Sequence, residues 1–159
     1  MAYVEEEIEV NVPVRTAYNQ WTQFEEFPKF MEGVKEVRQL DDKRLFWRAE
    51  IAGKEEAWEA EITEQEPDRV IAWRSISGAP NGGRVTFQPL DANRTLVTLR
   101  LEYEPRDPVE KAGEALGVVE RQVKEDLQRF KEFVESRGSE TGAWRGEIHG
   151  GQVEQHPNQ

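Results

Sequence analysis

Apolar and polar residues alternate almost from the start of the chain. Val4, Ile8, Val10 and Val12 fall on one parity, and Glu5, Glu7 and Glu9 on the other. A period of two marks a half-buried strand. Pro13 stops it, because proline has no N–H to give to a ladder. The period then changes. Val14, Ala17, Tyr18 and Trp21 recur at helical spacing, and Phe24, Phe27, Phe30 and Met31 continue it across a break at Pro28. Two short helices are expected, over residues 14–23 and 24–32, with Gly33 as the stop.

Strands follow in series, over residues 34–40, 44–52, 69–76, 84–89 and 95–103. A partner strand after Gly53 makes six. In residues 44–52, Leu45, Trp47, Ala49 and Ile51 alternate with Phe46, Arg48 and Glu50. Gly53-Lys54 suits a two-residue hairpin loop, since a type II′ turn takes Gly first. That fold pairs Ala49 with Trp58 and Trp47 with Ala60 inside, and Arg48 with Glu59 outside. Gly, Pro and Asn in residues 77–83 predict another turn, and Asp91-Ala92-Asn93 a third. Val97, Leu99, Leu101 and Tyr103 share the inner face of the last strand, which Pro105 and Pro108 end.

From residue 109 to about 137 the apolar residues step by three or four: Val109, Ala112, Leu116, Val119, Val123, Leu127, Phe130, Val134. One continuous stripe of this kind is an amphipathic helix, roughly 40 Å long at ~1.5 Å per residue. Asp107 suits the N-cap, Pro108 the first helical position and Gly138 the end. Residues 138–159 are polar and Gly-rich without periodicity and read as a flexible polar tail after a single domain over residues 1–137. The order predicts an α+β fold: a strand, two short helices, a six-strand meander and one long helix lying across a curved antiparallel sheet of about seven strands. That is a helix-grip architecture.

Composition narrows the function. The 159 residues suffice for one sizeable core. The 5 Trp, 7 Phe and 3 Tyr need apolar surroundings. Without cysteine there are no disulfides, thiolate metal sites or thiol nucleophiles, which suits a cytoplasmic location. A net charge of −11 and a pI near 4.8 argue against nucleic acid, whose binders need a cationic surface. No apolar run approaches the ~18 residues of a membrane span, and the opening residues do not read as a secretory signal. No stable membrane insertion is expected.

The stretch V-N-V-P-V-R-T-A-Y-N-Q-W-T-Q-F-E-E-F-P-K-F-M-E-G-V, from Val10 to Val34, resembles the opening of the START/Bet v 1-like (SRPBCC) superfamily. It is most similar to the polyketide cyclase/dehydrase and coenzyme-Q-binding branch. The Trp47 and Trp58 hairpin, I-A-W-R-S at Ile71 to Ser75, and D-L-Q-R-F-K-E-F-V at Asp126 to Val134 carry the same resemblance, which covers about residues 2–137. It implies the helix-grip fold and a cavity between sheet and long helix. It also implies a hydrophobic small-molecule partner (a lipid, isoprenoid quinone or polyketide-like molecule), with no cofactor.

The candidate lining is Trp47, Trp58, Trp73, Phe87 and Leu99 of the sheet, facing Leu116, Val119 and Val123 of the helix. The same residues could equally fill a packed core. Gly113, Ala115 and Gly117 leave room beneath the helix or permit close contact with the sheet. Phe27, Phe30 and Met31 are candidates for the entrance, framed by Pro28 and Gly33. Glu56 and Ser75 lie on the inward parity and are the candidate polar cavity groups.

No catalytic residue is identified. His149 and His156 both fall in the tail, so the domain lacks the usual near-neutral base, and the H-G-G-Q-V-E-Q-H run has too few ligands to predict a metal site. Three readings remain. One is a carrier or sensor of a hydrophobic molecule, with a pocket of several hundred Å3 expected from the size of such sites. The second is a cyclase/dehydratase-type enzyme with convergent polar groups, and the third a chaperone-activator-like interaction module. The apolar inner face favours binding over catalysis. The sequence names neither the ligand nor an oligomeric state.

Overall fold

The computed structural model describes residues 2–51, 54–78, 80–103, 114–137 and 139–154. The first strand, β1 (Ala2–Val10), leads into α1 (Val14–Trp21) and a 3-10 helix (Phe24–Lys29). Six strands follow: β2 (Val34–Gln39), β3 (Arg44–Ile51), β4 (Lys54–Glu66), β5 (Val70–Gly78), β6 (Asn81–Asp91) and β7 (Arg94–Tyr103). The long helix α2 (Glu114–Arg137) comes next, then β8 (Glu147–His149) and β9 (Gln152–Glu154).

The main sheet runs β1-β7-β6-β5-β4-β3-β2, antiparallel throughout, so the meander from β2 to β7 is closed by β1 on its far edge. Local chemistry sets the tight turns. Asp41 accepts the backbone N–H of Lys43 at 2.9 Å and of Arg44 at 2.8 Å between β2 and β3. Asp91 accepts that of Asn93 at 2.9 Å before Arg94 rejoins the ladder. Such side-chain-to-backbone bonds are why Asp recurs at turns. The inner face of the sheet, α1, the 3-10 helix and α2 enclose one core, in which Tyr18, Trp21, Leu45, Phe130 and Val134 are fully buried. Val119, Val123, Leu127, Phe130 and Val134 of the predicted stripe all point into it. Asp107, Pro108, Val109, Ala112 and Gly113, as well as Gly138 and His156, lie outside the described residues.

Three expectations need correction. In the β3–β4 hairpin Trp47 stands opposite Trp58, Arg48 opposite Ala57 and Ala49 opposite Glu56. The register is displaced by two residues from the expected one, and Lys54 already pairs with Ile51 inside the ladder. A two-residue slip keeps every side chain on its own face, so the burial pattern was right although the pairs were not. Next, Gly82 and Gly83 are not turn residues. They lie in β6 opposite Arg74 and Trp73, where a Cβ on Gly83 would collide with the Trp73 indole.

The third correction concerns the tail. Residues 139–154 are packed against the domain, and with β8 and β9 the sheet has nine strands. Ile148 is fully buried and pairs with Gln65 beyond the end of β3. Three buried polar residues near the end of α1 explain the docking. Gln20 donates from Nε2 to Thr141 Oγ1 at 3.0 Å and accepts the Thr141 N–H at 2.9 Å. Asn19 binds Glu140 at 2.8 Å and Arg145 at 2.6 Å, and Thr22 accepts the Trp144 N–H at 3.1 Å. Arg145 also meets Asp68 at 2.8 Å. The β8–β9 turn is Gly150-Gly151, both with positive φ (57° and 79°), the backbone that a tight hairpin needs.

Candidate functional site

A cavity of about 130 Å3 lies between the inner face of the sheet and α2. Its wall is a row of tryptophans. Trp47 stacks on Trp58 at 5.9 Å and 7°, and on Trp73 at 6.4 Å and 16°. Phe27 meets Trp47 nearly edge-on at 5.6 Å and 62°, and Trp21 meets Phe27 at 5.5 Å and 72°. Parallel and edge-on contacts of this kind are the favoured aromatic geometries. Val119 and Val123 of α2 form the opposite wall. Its rim is only half-buried, at Val34, Leu101, Tyr103 and Gln122. At Gly33 the absent Cβ leaves the space that the Gln122 amide occupies.

Three acidic residues, Glu50, Glu102 and Asp126, belong to this lining, and of them only Asp126 is buried. Asp126 follows Val123 by three residues and precedes Phe130 by four, so the helix turns it onto the buried stripe, where it is 8 % exposed. Loss of water pushes its pKa up to about 7, against the pull of the Glu32 N–H at 3.3 Å and the Arg129 guanidinium at 3.0 Å. A carboxyl poised there exchanges its proton near neutral pH, as a general acid or base must. The indole N–H groups of Trp21, Trp47 and Trp58 also belong to lining residues. All three are buried without a hydrogen-bond partner.

Of the sequence candidates, the fold brings Phe27, Met31, Trp47, Trp58, Trp73, Leu99, Val119 and Val123 together around this cavity. Phe27 lies in the wall, not at the entrance, and Pro28 is exposed. Phe30 turns away to Phe130 and Phe133, at 5.4 and 5.2 Å. Phe87 packs on Tyr18 and Trp21 on the other side of the core. Leu116 belongs to α2, but its side chain is outside the described residues, as is that of Ala115. Gly117 is exposed with nothing near its absent Cβ, so it neither deepens the cavity nor tightens contact with the sheet.

The expected polar groups do not line the cavity. Glu56 sits at the half-buried end of β4 opposite Ala49, and Ser75 accepts the Asn81 N–H at 3.0 Å. Asp126, Gln122 and Trp21 were missed. For Asp126 the signal was present, an acid in phase with the apolar stripe. The cavity is also smaller than the several hundred Å3 expected, because the tryptophans fill the space with each other.

At the opposite end, Gln65 donates to the buried Tyr18 hydroxyl at 2.9 Å, and desolvation pushes the Tyr18 pKa well above the ordinary phenol range. Glu66, Glu147 and His149 approach one another within 4.8 Å. Glu66 is held by Arg69, and His149 lies 3.0 Å from Glu147, so these groups already serve each other and a neighbouring cation.

Residues 10–132 match the family described as polyketide cyclase / dehydrase and lipid transport. A Streptomyces lincolnensis protein, described as an uncharacterized 17.2 kDa protein in the melC2-rnhH intergenic region, is 51% identical over 149 residues, covering 93% of this chain and 99% of that one. The crystal structure of DR_A0006 from Deinococcus radiodurans is 33% identical with a TM-score of 0.67, covering 86% of this chain and 99% of its own. The Zhui aromatase/cyclase from Streptomyces sp. R1128 superposes with a TM-score of 0.73 at 21% identity, over 90% of this chain and 99% of that one. At that identity the likeness shows the fold alone.

Proposed function

This chain belongs to the polyketide cyclase / dehydrase and lipid transport family, and on that premise we propose that it binds a hydrophobic small molecule between the Trp47 wall and α2. The observation that carries this reading is the cavity itself. It lies in the centre of the grip, and its walls are stacked indoles and valines. At about 130 Å3 it resembles in size the ~150 Å3 apolar cavity that takes up benzene. A ring-sized part of the ligand fits as the cavity stands, with the remainder leaving past Gln122. A larger guest requires Gln122 and the start of α2 to move.

Native mass spectrometry of the protein from its own host, followed by extraction, tests this directly. A stoichiometric apolar guest, together with saturable quenching of tryptophan fluorescence when it is added back, is the expected result. A clean apo mass, with no quenching by any apolar probe, overturns the reading and leaves the indoles as packed core.

Asp126 favours a second reading, acid/base catalysis on the bound molecule. With a pKa near 7 it can give a proton to a carbonyl oxygen or take one from the adjacent carbon at neutral pH. The family's description as polyketide cyclase / dehydrase supports considering that chemistry. The two readings separate on Asp126→Asn, which keeps binding in both and abolishes turnover only in the second.

A further inference from the structure

We infer that the cavity takes up its guest together with a proton on Asp126, so that an apolar molecule is held while this carboxyl is neutral and released as it ionises. The inference rests on the binding reading above and adds the regulation of that same site.

Asp126 belongs to the cavity wall beside Val123, on the buried face of α2, and is 8 % exposed. Its hydrogen bonds are one-sided. The Glu32 N–H at 3.3 Å and the Arg129 guanidinium at 3.0 Å both reach Oδ1, and Oδ2 has no partner among the described residues. An ionised carboxylate spreads its charge over both oxygens, so the share on Oδ2 is left for water to solvate. An apolar guest against this wall removes water and offers no donor in exchange. That penalises the charged form far more than the neutral acid. The guest therefore raises the affinity for the proton, and by linkage the proton raises the affinity for the guest.

Neighbouring charges do not relieve the penalty. Arg129 also meets Glu32 at 2.9 Å and Glu125 at 3.6 Å, so one guanidinium is shared among Asp126, Glu32 and Glu125. The other acids of the lining, Glu50 of β3 and Glu102 of β7, add charge of the same sign. No Lys, Arg or His is among the described lining residues. Like charges disfavour ionisation just as lost water does. Burial in these surroundings already lifts the Asp126 pKa to about 7, which puts the coupling in the neutral range.

The test uses the full chain and toluene, a small apolar ring with no titratable group, so any pH dependence belongs to the protein. Calorimetry from about pH 5.5 to about pH 8.5 gives the affinity of the parent and of Asp126→Asn. The parent is expected to bind most tightly at the acid end and ~5-fold or more weakly at the alkaline end. Each unit by which the guest raises the pKa is worth up to about tenfold. Asp126→Asn is expected to keep one affinity throughout. Near pH 7.5 the parent should also give different heats in phosphate and in Tris, because binding draws a proton from the buffer. That measurement needs no variant.

One affinity at every pH in the parent, or a rise with pH, together with equal heats in the two buffers, overturns this inference and leaves the binding reading standing. A fall that persists unchanged in Asp126→Asn assigns the proton to another group and overturns it equally. No binding of toluene at any pH overturns both.

Discussion

Trp47 and Trp58 stand directly opposite each other on β3 and β4, with rings 5.9 Å apart and 7° from parallel. Cross-strand aromatic pairs stabilise a sheet, and this one also forms the cavity wall. Trp47 is the hub, since it touches Trp58, Trp73, Phe24 and Phe27. Trp47→Ala should therefore cost ~3–5 kcal/mol, the usual loss for a buried large aromatic. Urea denaturation measures it. A loss below about 1 kcal/mol would mean the stack contributes little to the fold.

The Asp126 carboxyl has a pKa of about 7 in the folded protein, against 3.8 for an unperturbed group. Its folded value is raised, so no cost arises below about pH 4, where folded and unfolded states are both protonated. As pH rises from about 4 to about 7 the unfolded chain ionises first, and stability falls until the folded group ionises as well. Asp126→Asn, which keeps an acceptor for the Glu32 N–H, should match the parent at pH 4 and exceed it at pH 8 by up to ~4 kcal/mol. Thermal melts across that range decide it, and the same gap at both ends would contradict the assignment.

Ile148 is fully buried although it lies beyond the long helix. Ile148→Ala should destabilise the protein by ~2–4 kcal/mol. A flexible tail would put the effect within ~0.5 kcal/mol, as for an exposed site. Hydrogen exchange at the Gly151 N–H, which donates to the Thr63 carbonyl at 3.0 Å, provides an independent check. Rapid exchange there would mean that residues 139–154 are not docked.

Two glycines should respond in opposite directions to the same change. In Gly83→Ala the new methyl meets the Trp73 indole, which must leave its place in the stack. The expected cost is ~1–3 kcal/mol, with a changed near-ultraviolet circular dichroism signal. Gly117 lies exposed on α2 with nothing within 4 Å of its absent Cβ. Gly117→Ala should raise stability by up to ~1 kcal/mol through helix propensity. Paired melts of the two variants report both effects.

Much of this architecture is written in periodicity. Alternation in residues 4–12 and 97–103 and the three-to-four step from Val119 to Val134 are local properties, so strand, helix and buried face follow from the side chains alone. The same rule selected eight of the residues that meet at the cavity. Tertiary structure decided what depends on distant partners. The β3–β4 register could slip by two residues without moving any side chain to the wrong face, so the alternating pattern was blind to it. The tail lacks periodicity because it is anchored by Asn19, Gln20 and Thr22, more than 110 residues earlier in the chain. Asp126 was visible as an acid in phase with an apolar stripe, but its raised pKa comes from burial that only the packed helix and sheet provide. Face and period are set by neighbours a few residues away. Register, docking and desolvation are set by groups that only folding brings together.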